Sequence, residues 1–239
     1  MRCPLCDQQT EGPSASAGAP GAVCPHCGSR PTDRELAWFL KHIAAPEYGT
    51  KILDIGPSEA RFTQAARLFP DVRYTAIDRD PREGETPFVP GQRFLVMDVT
   101  RLAFSDQAFP VILAAFVLAE VRSDYMAMWE LHRCLHNDGF AVLTETLFAG
   151  KTERIHEWKG GAIPAENAGR PLAWAYGEDF LERLEAAGFF VERLNLRALA
   201  GAPAAEEYAF RPVPELILGF KYGASLAKFR ERLKEAGKR

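Results

Sequence analysis

The chain has 239 residues, a formal net charge of −3 and hydrophobic residues at 47%. This length and balance are typical of one globular domain with its own core and a small appendage. The mildly acidic charge argues against a general nucleic-acid binder, whose surface is usually basic. No run of about 18 apolar residues predicts a membrane span, and the start shows no apolar segment typical of a secretory signal. We therefore expect a cytoplasmic location.

Four of the five cysteines form two C-x-x-C pairs near the start, Cys3 with Cys6 and Cys24 with Cys27. Paired knuckles at this separation are typical of a structural zinc site, in which four thiolates complete a tetrahedron. Disulfides and free thiols are the alternatives, and a reducing cytoplasm disfavours disulfides. A segment of about 30 residues cannot build a core alone. We therefore expect zinc to hold residues 1–31 together as a metal-binding module.

Beyond the cysteines, apolar runs alternate with helical patterns. A helix is predicted over 31–44, so that 32–45 links the module to the rest of the chain. The predicted strands are 51–55, 73–77, 94–97, 111–116, 140–146, 189–197 and 216–220, and the further predicted helices are 59–68, 123–135, 177–187 and 224–236. The alternation implies an α/β fold, with a mostly parallel sheet covered by helices on both faces.

The segments between these elements lack clear periodicity. Asn137-Asp138-Gly139 predicts a turn, and residues 79–92 and 201–214 are expected to be irregular. Residues 148–171 are polar and long for a connection, which is typical of a lid or binding loop.

The first predicted strand, turn and helix indicate a nucleotide-binding unit. Gly56 has no side chain and Ser58 has a small one, so the turn can approach a ligand closely. Asp78 follows the second strand, about 20 residues after the turn, where an acidic side chain can accept hydrogen bonds from a ribose. The lysine of a phosphate-binding P-loop is missing. The pattern predicts a site for S-adenosylmethionine (SAM).

Residues 51–146 resemble class I SAM-dependent methyltransferases of the small-molecule and ubiquinone-type group. The segments that carry the resemblance are Leu53-Asp-Ile-Gly56, Ala76-Ile-Asp78, Met97-Asp98-Val99 and Leu131-His-Arg-Cys-Leu-His-Asn-Asp-Gly139. It implies a Rossmann-like sheet of seven mostly parallel strands over 46–239, with a basic C-terminal helix and a zinc-ribbon-like module in front. The family turn, D-x-G-x-G-x-G, keeps only its first glycine here.

The resemblance also implies roles for individual residues. Asp54 would position the turn and the amino group of SAM, and Asp98 would meet the adenine amino group. Val99 would offer a backbone N–H to the adenine ring. Phe116 would line the cofactor pocket near the sulfonium. The alternative for each acid is a capping role at a strand end, and the alternative for Phe116 is core packing.

Methyl transfer requires mainly alignment of donor and acceptor, and a general base only where the acceptor must lose a proton early. Glu120 is the favoured candidate for that base. The other candidates are His132, His136, His156 and Tyr176. His156 and Trp158 lie in the possible lid and are candidate substrate contacts.

The sequence therefore predicts SAM-dependent methyl transfer to a small-molecule metabolite. An RNA or protein methyltransferase that grips its target with the zinc module is the alternative. Nucleic acid is the less favoured partner because charges balance over 1–45, although the predicted terminal helix is basic. The third hypothesis, motivated by the missing glycines, is a catalytically inactive methyltransferase-like scaffold.

Overall fold

The computed structural model describes residues 1–9, 23–68, 70–80, 92–157 and 171–236. The strands of these residues are β1 (Lys51–Ile55), β2 (Arg73–Asp78), β3 (Gln92–Val96), β4 (Phe109–Leu113), β5 (Leu135–Val142), β6 (Glu153–Arg154), β7 (Trp174–Ala175), β8 (Phe190–Asn195) and β9 (Glu215–Phe220). The helices are α1 (Pro31–Phe39), α2 (Glu59–Leu68), α3 (Asp124–Cys134), α4 (Phe180–Ala186), α5 (Leu196–Ala200), α6 (Ala202–Glu207) and α7 (Gly223–Ala236). A π-helical turn over Leu40–Ala44 extends α1.

Among the described residues, seven strands form one sheet in the order β3-β2-β1-β4-β5-β9-β8, and β6 and β7 form a separate two-stranded antiparallel sheet. The pairs from β3 to β5 are parallel, whereas β9 runs antiparallel to both of its neighbours. The strand order reverses direction between β1 and β4, which places a crevice beyond the carboxyl ends of these strands. The predicted Rossmann-like fold of seven mostly parallel strands is confirmed.

Helices cover both faces of the sheet. Successive strand residues point to opposite faces, so each central strand contributes to two cores. Ile52 packs in one core with Phe39 of α1 and Phe229 of α7. Its neighbour Leu53 packs in the other core, with Leu131 of α3. Burial on both faces explains why the central strands are almost uninterrupted apolar runs.

Two expectations about irregular segments are wrong. Asn137-Asp138-Gly139 lies within β5 rather than in a turn, at a register shift between Phe109 and Val111 of β4. This bulge accommodates extra residues inside the strand. Part of the segment predicted to be irregular, 201–214, is helical, because Ala202–Glu207 forms α6.

Gly139 lies where the backbones of β5 and β4 approach each other too closely for a side chain. A Cβ at this position would lie 2.3 Å from the carbonyl oxygen of Pro110 in β4. We expect Gly139→Ala to lower the free energy of unfolding by about 1–3 kcal/mol or more, since neither backbone can yield without breaking the sheet. Gly223→Ala is the control, because its Cβ would make only ordinary contact with Phe190. Urea unfolding measures both, and equal stabilities would contradict the expected clash.

The cysteine segment packs against the sheet domain rather than standing apart. Its contact cluster contains Cys3, Leu5, Cys6 and Cys24 of the segment together with Ala37 of α1 and Ala60 of α2. The Arg34 side chain is fully buried and donates hydrogen bonds to the carbonyls of Ser29, Tyr208 and Ala209. The division into 1–31, 32–45 and 46–239 stays a prediction.

None of the helices in the described part of the chain combines the length and the apolar character that a membrane crossing needs.

Candidate active site

A cavity of about 1230 Å³ opens beyond the carboxyl ends of β1, β2 and β4. Its wall includes Ile55 at the end of β1, Asp78 at the end of β2 and Ala115 just after β4. This is the place where ligands bind in open parallel sheets. The volume exceeds the range of about 300–1,000 Å³ that is usual for one drug-sized ligand, so a cofactor and an acceptor fit together.

The turn after β1 forms one side of the cavity. Gly56 has a φ of +55°, and a Cβ there would lie 3.3 Å from the Cγ2 atom of Val117. The backbone conformation therefore favours glycine, and a Cβ would in addition press on the Val117 side chain. Ser58 caps α2, because its Oγ accepts a hydrogen bond from the N–H of Arg61.

Asp54 lies beneath this turn and is completely buried. Its carboxylate oxygens accept hydrogen bonds from Nε and Nη2 of Arg61, at 2.7 and 2.9 Å, and from the Tyr74 hydroxyl at 2.7 Å. Burial by itself lowers the pKa of Arg61, but Asp54 and Asp33 raise it to a net value above the usual one. The guanidinium is therefore charged. Asp54 does not line the cavity, so its role toward the amino group of SAM stays a prediction.

The two other predicted acids lie on the cavity wall. Asp78 is half-buried at the end of β2, and Asp98 is exposed after β3. The Asp98 carboxylate accepts hydrogen bonds from the N–H and the hydroxyl of Thr100, both at 2.8 Å, which fixes its loop. Val99 also lines the cavity. The fold thus brings Gly56, Asp78 and Asp98 to one site from three different strand ends.

Phe116 and Glu120 lie in the loop that follows β4. Phe116 has a φ of +60°, a left-handed conformation that is uncommon for a bulky residue, and its N–H donates to the carbonyl of Thr144 at 2.7 Å. Backbone strain of this kind clusters at functional sites. Both residues line the cavity, so Glu120 lies where a base could reach an acceptor.

Residues in or next to β6 and β7 form another part of the cavity wall, which contains Arg154 and Ile155 on one side and Leu172 and Ala173 on the other. The Arg154 guanidinium stacks on the Trp174 ring, 3.7 Å from its centroid, and donates a hydrogen bond to the carbonyl of Arg122. His156 is exposed and lines the same wall. Trp158 lies outside the described residues, as does most of the possible lid.

Three of the alternative bases do not line the cavity. Tyr176 is fully buried, and its hydroxyl donates to Asp124. Burial raises the Tyr176 pKa far above its ordinary value, with Asp124 adding to the shift. Burial lowers the pKa of His132, whose ring packs edge-on against Phe189. His136 is the third.

The Sγ atoms of Cys3, Cys6, Cys24 and Cys27 all lie within 4.8 Å of one another. The first three are buried. The hydrogen bond between Cys3 and Cys27 lowers the pKa of Cys3 and raises the pKa of Cys27, so this pair favours one thiolate. Four converging soft donors of this kind fit a tetrahedral zinc ion. The cluster is compatible with a zinc knuckle.

Sequence reasoning missed the part of the cavity wall that comes from the N-terminal segment. Cys27, Gly28, Arg30, Thr32 and Asp33 all line the cavity. No local pattern signals this, because Asp33 fits a helix cap and Arg30 an ordinary surface residue. Arg61 was likewise not singled out, since only the folded chain brings it to Asp54.

Comparison with known proteins agrees with this geometry. Residues 53–143 match the protein family described as "Methyltransferase domain". This match spans β1 to the residue after β5, the part of the sheet that carries the cavity. These residues therefore form a methyltransferase domain. No curated protein matches the chain in sequence.

Solved structures share the fold of this chain at low sequence identity. The putative methyltransferase in a complex with the Haloferax volcanii Trm112 methyltransferase activator is 17% identical, with a TM-score of 0.52 over 79% of this chain and 93% of the other. A SAM-dependent methyltransferase from Mesorhizobium loti is 16% identical, with a TM-score of 0.51 over 77% and 97%. The CMeT domain of citrinin polyketide synthase is 16% identical, with a TM-score of 0.53 over 79% of this chain and 52% of that one.

Proposed function

We propose that this methyltransferase binds SAM in the cavity between β1, β2 and β4 and transfers the methyl group to a small-molecule acceptor. The observation that carries the proposal is the convergence of Gly56, Asp78 and Asp98 on one cavity wall. The glycine leaves room for close backbone approach, and the two acids offer acceptors for ribose hydroxyls and the adenine amino group. Bound SAM would supply an activated methyl group.

The chain's own residues then have to align the acceptor. Holding two reactants in line can supply about 7–11 kcal/mol of a barrier. Phe116, with its constrained backbone, lines the cavity next to the end of β4. Glu120 also lines the cavity and would accept a proton from an acceptor that must lose one. The apolar side chains of Ile155 and Leu172 also line the cavity and favour contact with an organic acceptor.

We also propose that the four-cysteine cluster holds a structural zinc ion. With all four thiols converging, no coordination position is open for a substrate. The metal's role would be to hold the N-terminal segment in shape.

A small acceptor is favoured over RNA because several of the described basic residues in the C-terminal region are engaged with the body of the protein. Lys228 pairs with Asp138, and Arg230 pairs with Glu192. Lys221 donates hydrogen bonds to the carbonyls of Arg133 and Leu135. Charges neutralised in this way contribute less to phosphate binding. Salt-dependent retention on RNA would overturn this preference and support the alternative.

Asp78→Ala tests the cofactor site. We expect it to weaken SAM binding about 10-fold to 150-fold, the equivalent of one or two charge-assisted hydrogen bonds. The matched control is Asp71→Ala. Asp71 precedes β2, at the amino end of the strand, and does not line the cavity. Calorimetric titration of both variants with SAM and S-adenosylhomocysteine measures the effect. Unchanged affinity in Asp78→Ala would contradict the assignment, and no binding by the wild type would favour the scaffold hypothesis.

A further inference from the structure

The N-terminal segment forms part of the wall of the proposed SAM cavity. Gly28, Arg30 and Thr32 line it together with the second cysteine knuckle. Cys27 is at once a member of the thiol cluster and a lining residue. A change in the position of Cys27 at the metal site would therefore also change the wall of the cavity.

Asp33 is the residue that joins the two sites. It is 2% exposed, and its Oδ1 accepts hydrogen bonds from the Ser58 hydroxyl at 2.8 Å and from Nη1 of Arg61 at 3.1 Å. Its Oδ2 accepts from the N–H of Arg30 at 2.9 Å. One carboxylate therefore ties the segment after the second knuckle to the turn after β1.

The contacts continue without a break in both directions. On the metal side, Ser29 hydrogen-bonds with its Oγ to Cys3 Sγ at 3.2 Å and accepts, at its carbonyl, the N–H of Cys24. On the cofactor side, Nη2 of Arg61 reaches the Gly56 carbonyl, at 3.4 Å, while holding Asp54. The turn has only the first glycine of the family pattern, and this buried ionic network contacts it at the Ser58 hydroxyl and the Gly56 carbonyl.

We propose that Asp33 is a positioning residue that couples the metal site to the cofactor turn, so that zinc occupancy sets the affinity for SAM. Zinc holds the knuckles folded, the folded knuckles present Asp33, and Asp33 with Arg61 fixes Ser58 and Gly56. This inference rests on the proposed function, because it describes regulation of the same site. Coupling between two sites is reciprocal, so bound cofactor also tightens zinc binding.

The test uses the full-length protein with S-adenosylhomocysteine as the probe and needs no turnover. Its affinity is measured by calorimetry for zinc-loaded and chelator-stripped wild type. Zinc affinity is measured by competition with a chromophoric chelator, with and without saturating S-adenosylhomocysteine. We expect both affinities to change by the same factor, about 5-fold to 150-fold.

Two variants separate coupling from general damage. Asp33→Asn should keep its zinc, weaken binding of S-adenosylhomocysteine and abolish the effect of cofactor on zinc affinity. Asp7→Asn makes the same chemical change in the same segment, on an exposed carboxylate that pairs with Arg2 and Arg67. Because Asp7 does not line the cavity, this control should retain the coupling.

The outcomes also distinguish this inference from the proposed function. Wild type that binds S-adenosylhomocysteine equally with and without zinc would overturn the coupling and leave the cofactor site standing. Equal cofactor affinity in Asp33→Asn and wild type would overturn the role of Asp33. No binding by zinc-loaded wild type would overturn the proposed function and the coupling together.

Discussion

Replacing Arg61 by Met is expected to destabilise the protein by about 3–5 kcal/mol, because it leaves two buried carboxylates without their cation. Asp54 is 0% exposed and Asp33 is 2% exposed, and Arg61 pairs with both. Methionine fills much of the same space, so the loss reflects charge rather than a cavity. Urea unfolding at pH 7 measures the difference.

The loss should shrink as the pH falls. Burial raises the pKa of Asp54, and the charge of Arg61 works against this shift. The folded-state pKa of Asp54 is above its unfolded value even with the arginine present, and without the arginine it rises further. The folded variant then binds protons more readily than the unfolded chain, so its deficit is largest at neutral pH and decreases as the pH falls through that raised pKa.

The control is Arg67→Met, on the same helix. Arg67 is half exposed and pairs only loosely, at 3.6 Å, with exposed Asp7. A surface pair of this kind contributes about 0–1 kcal/mol. Equal destabilisation by the two substitutions would contradict the view that the Arg61 network is a buried structural support.

Removal of one cysteine ligand should have the other large effect. We expect wild type purified under reducing conditions to carry one zinc ion per chain, and Cys24→Ser to carry none and to melt at a lower temperature. In zinc-finger peptides, structural zinc contributes about 10–16 kcal/mol of apparent binding free energy, which is folding free energy for the segment that it organises.

Cys134→Ser is the matched control for metal content. Cys134 is also fully buried, but it lies in α3, outside the thiol cluster. This variant should lose some stability, since a hydroxyl replaces a buried thiol, yet keep its zinc. Elemental analysis by mass spectrometry counts the metal in each protein. Full zinc content in Cys24→Ser, or none in zinc-supplemented wild type, would contradict a four-thiolate site.

Local patterns were sufficient where neighbouring residues decide the structure. The predicted bounds of β1 and α2 agree with the structure because an apolar run, a glycine turn and a capping serine follow one another directly. Local patterns give the wrong structure where contacts with a distant part of the backbone determine it. Gly139 belongs to a strand because β4 approaches it closely, and Asn137-Asp138 looks like a turn only when that partner is ignored.

Strand alternation and C-x-x-C spacing lie in neighbouring residues, so the α/β fold and the cysteine pairs could be predicted from local patterns. The position of the cysteine segment on the cavity wall could not, because it depends on contacts between distant parts of the chain. Asp33 and Arg61 are 28 residues apart and lie on different helices. The contact between Asp33 and Arg61 depends on how α1 packs against α2. Because both charges are buried, only a packing that pairs them is favourable.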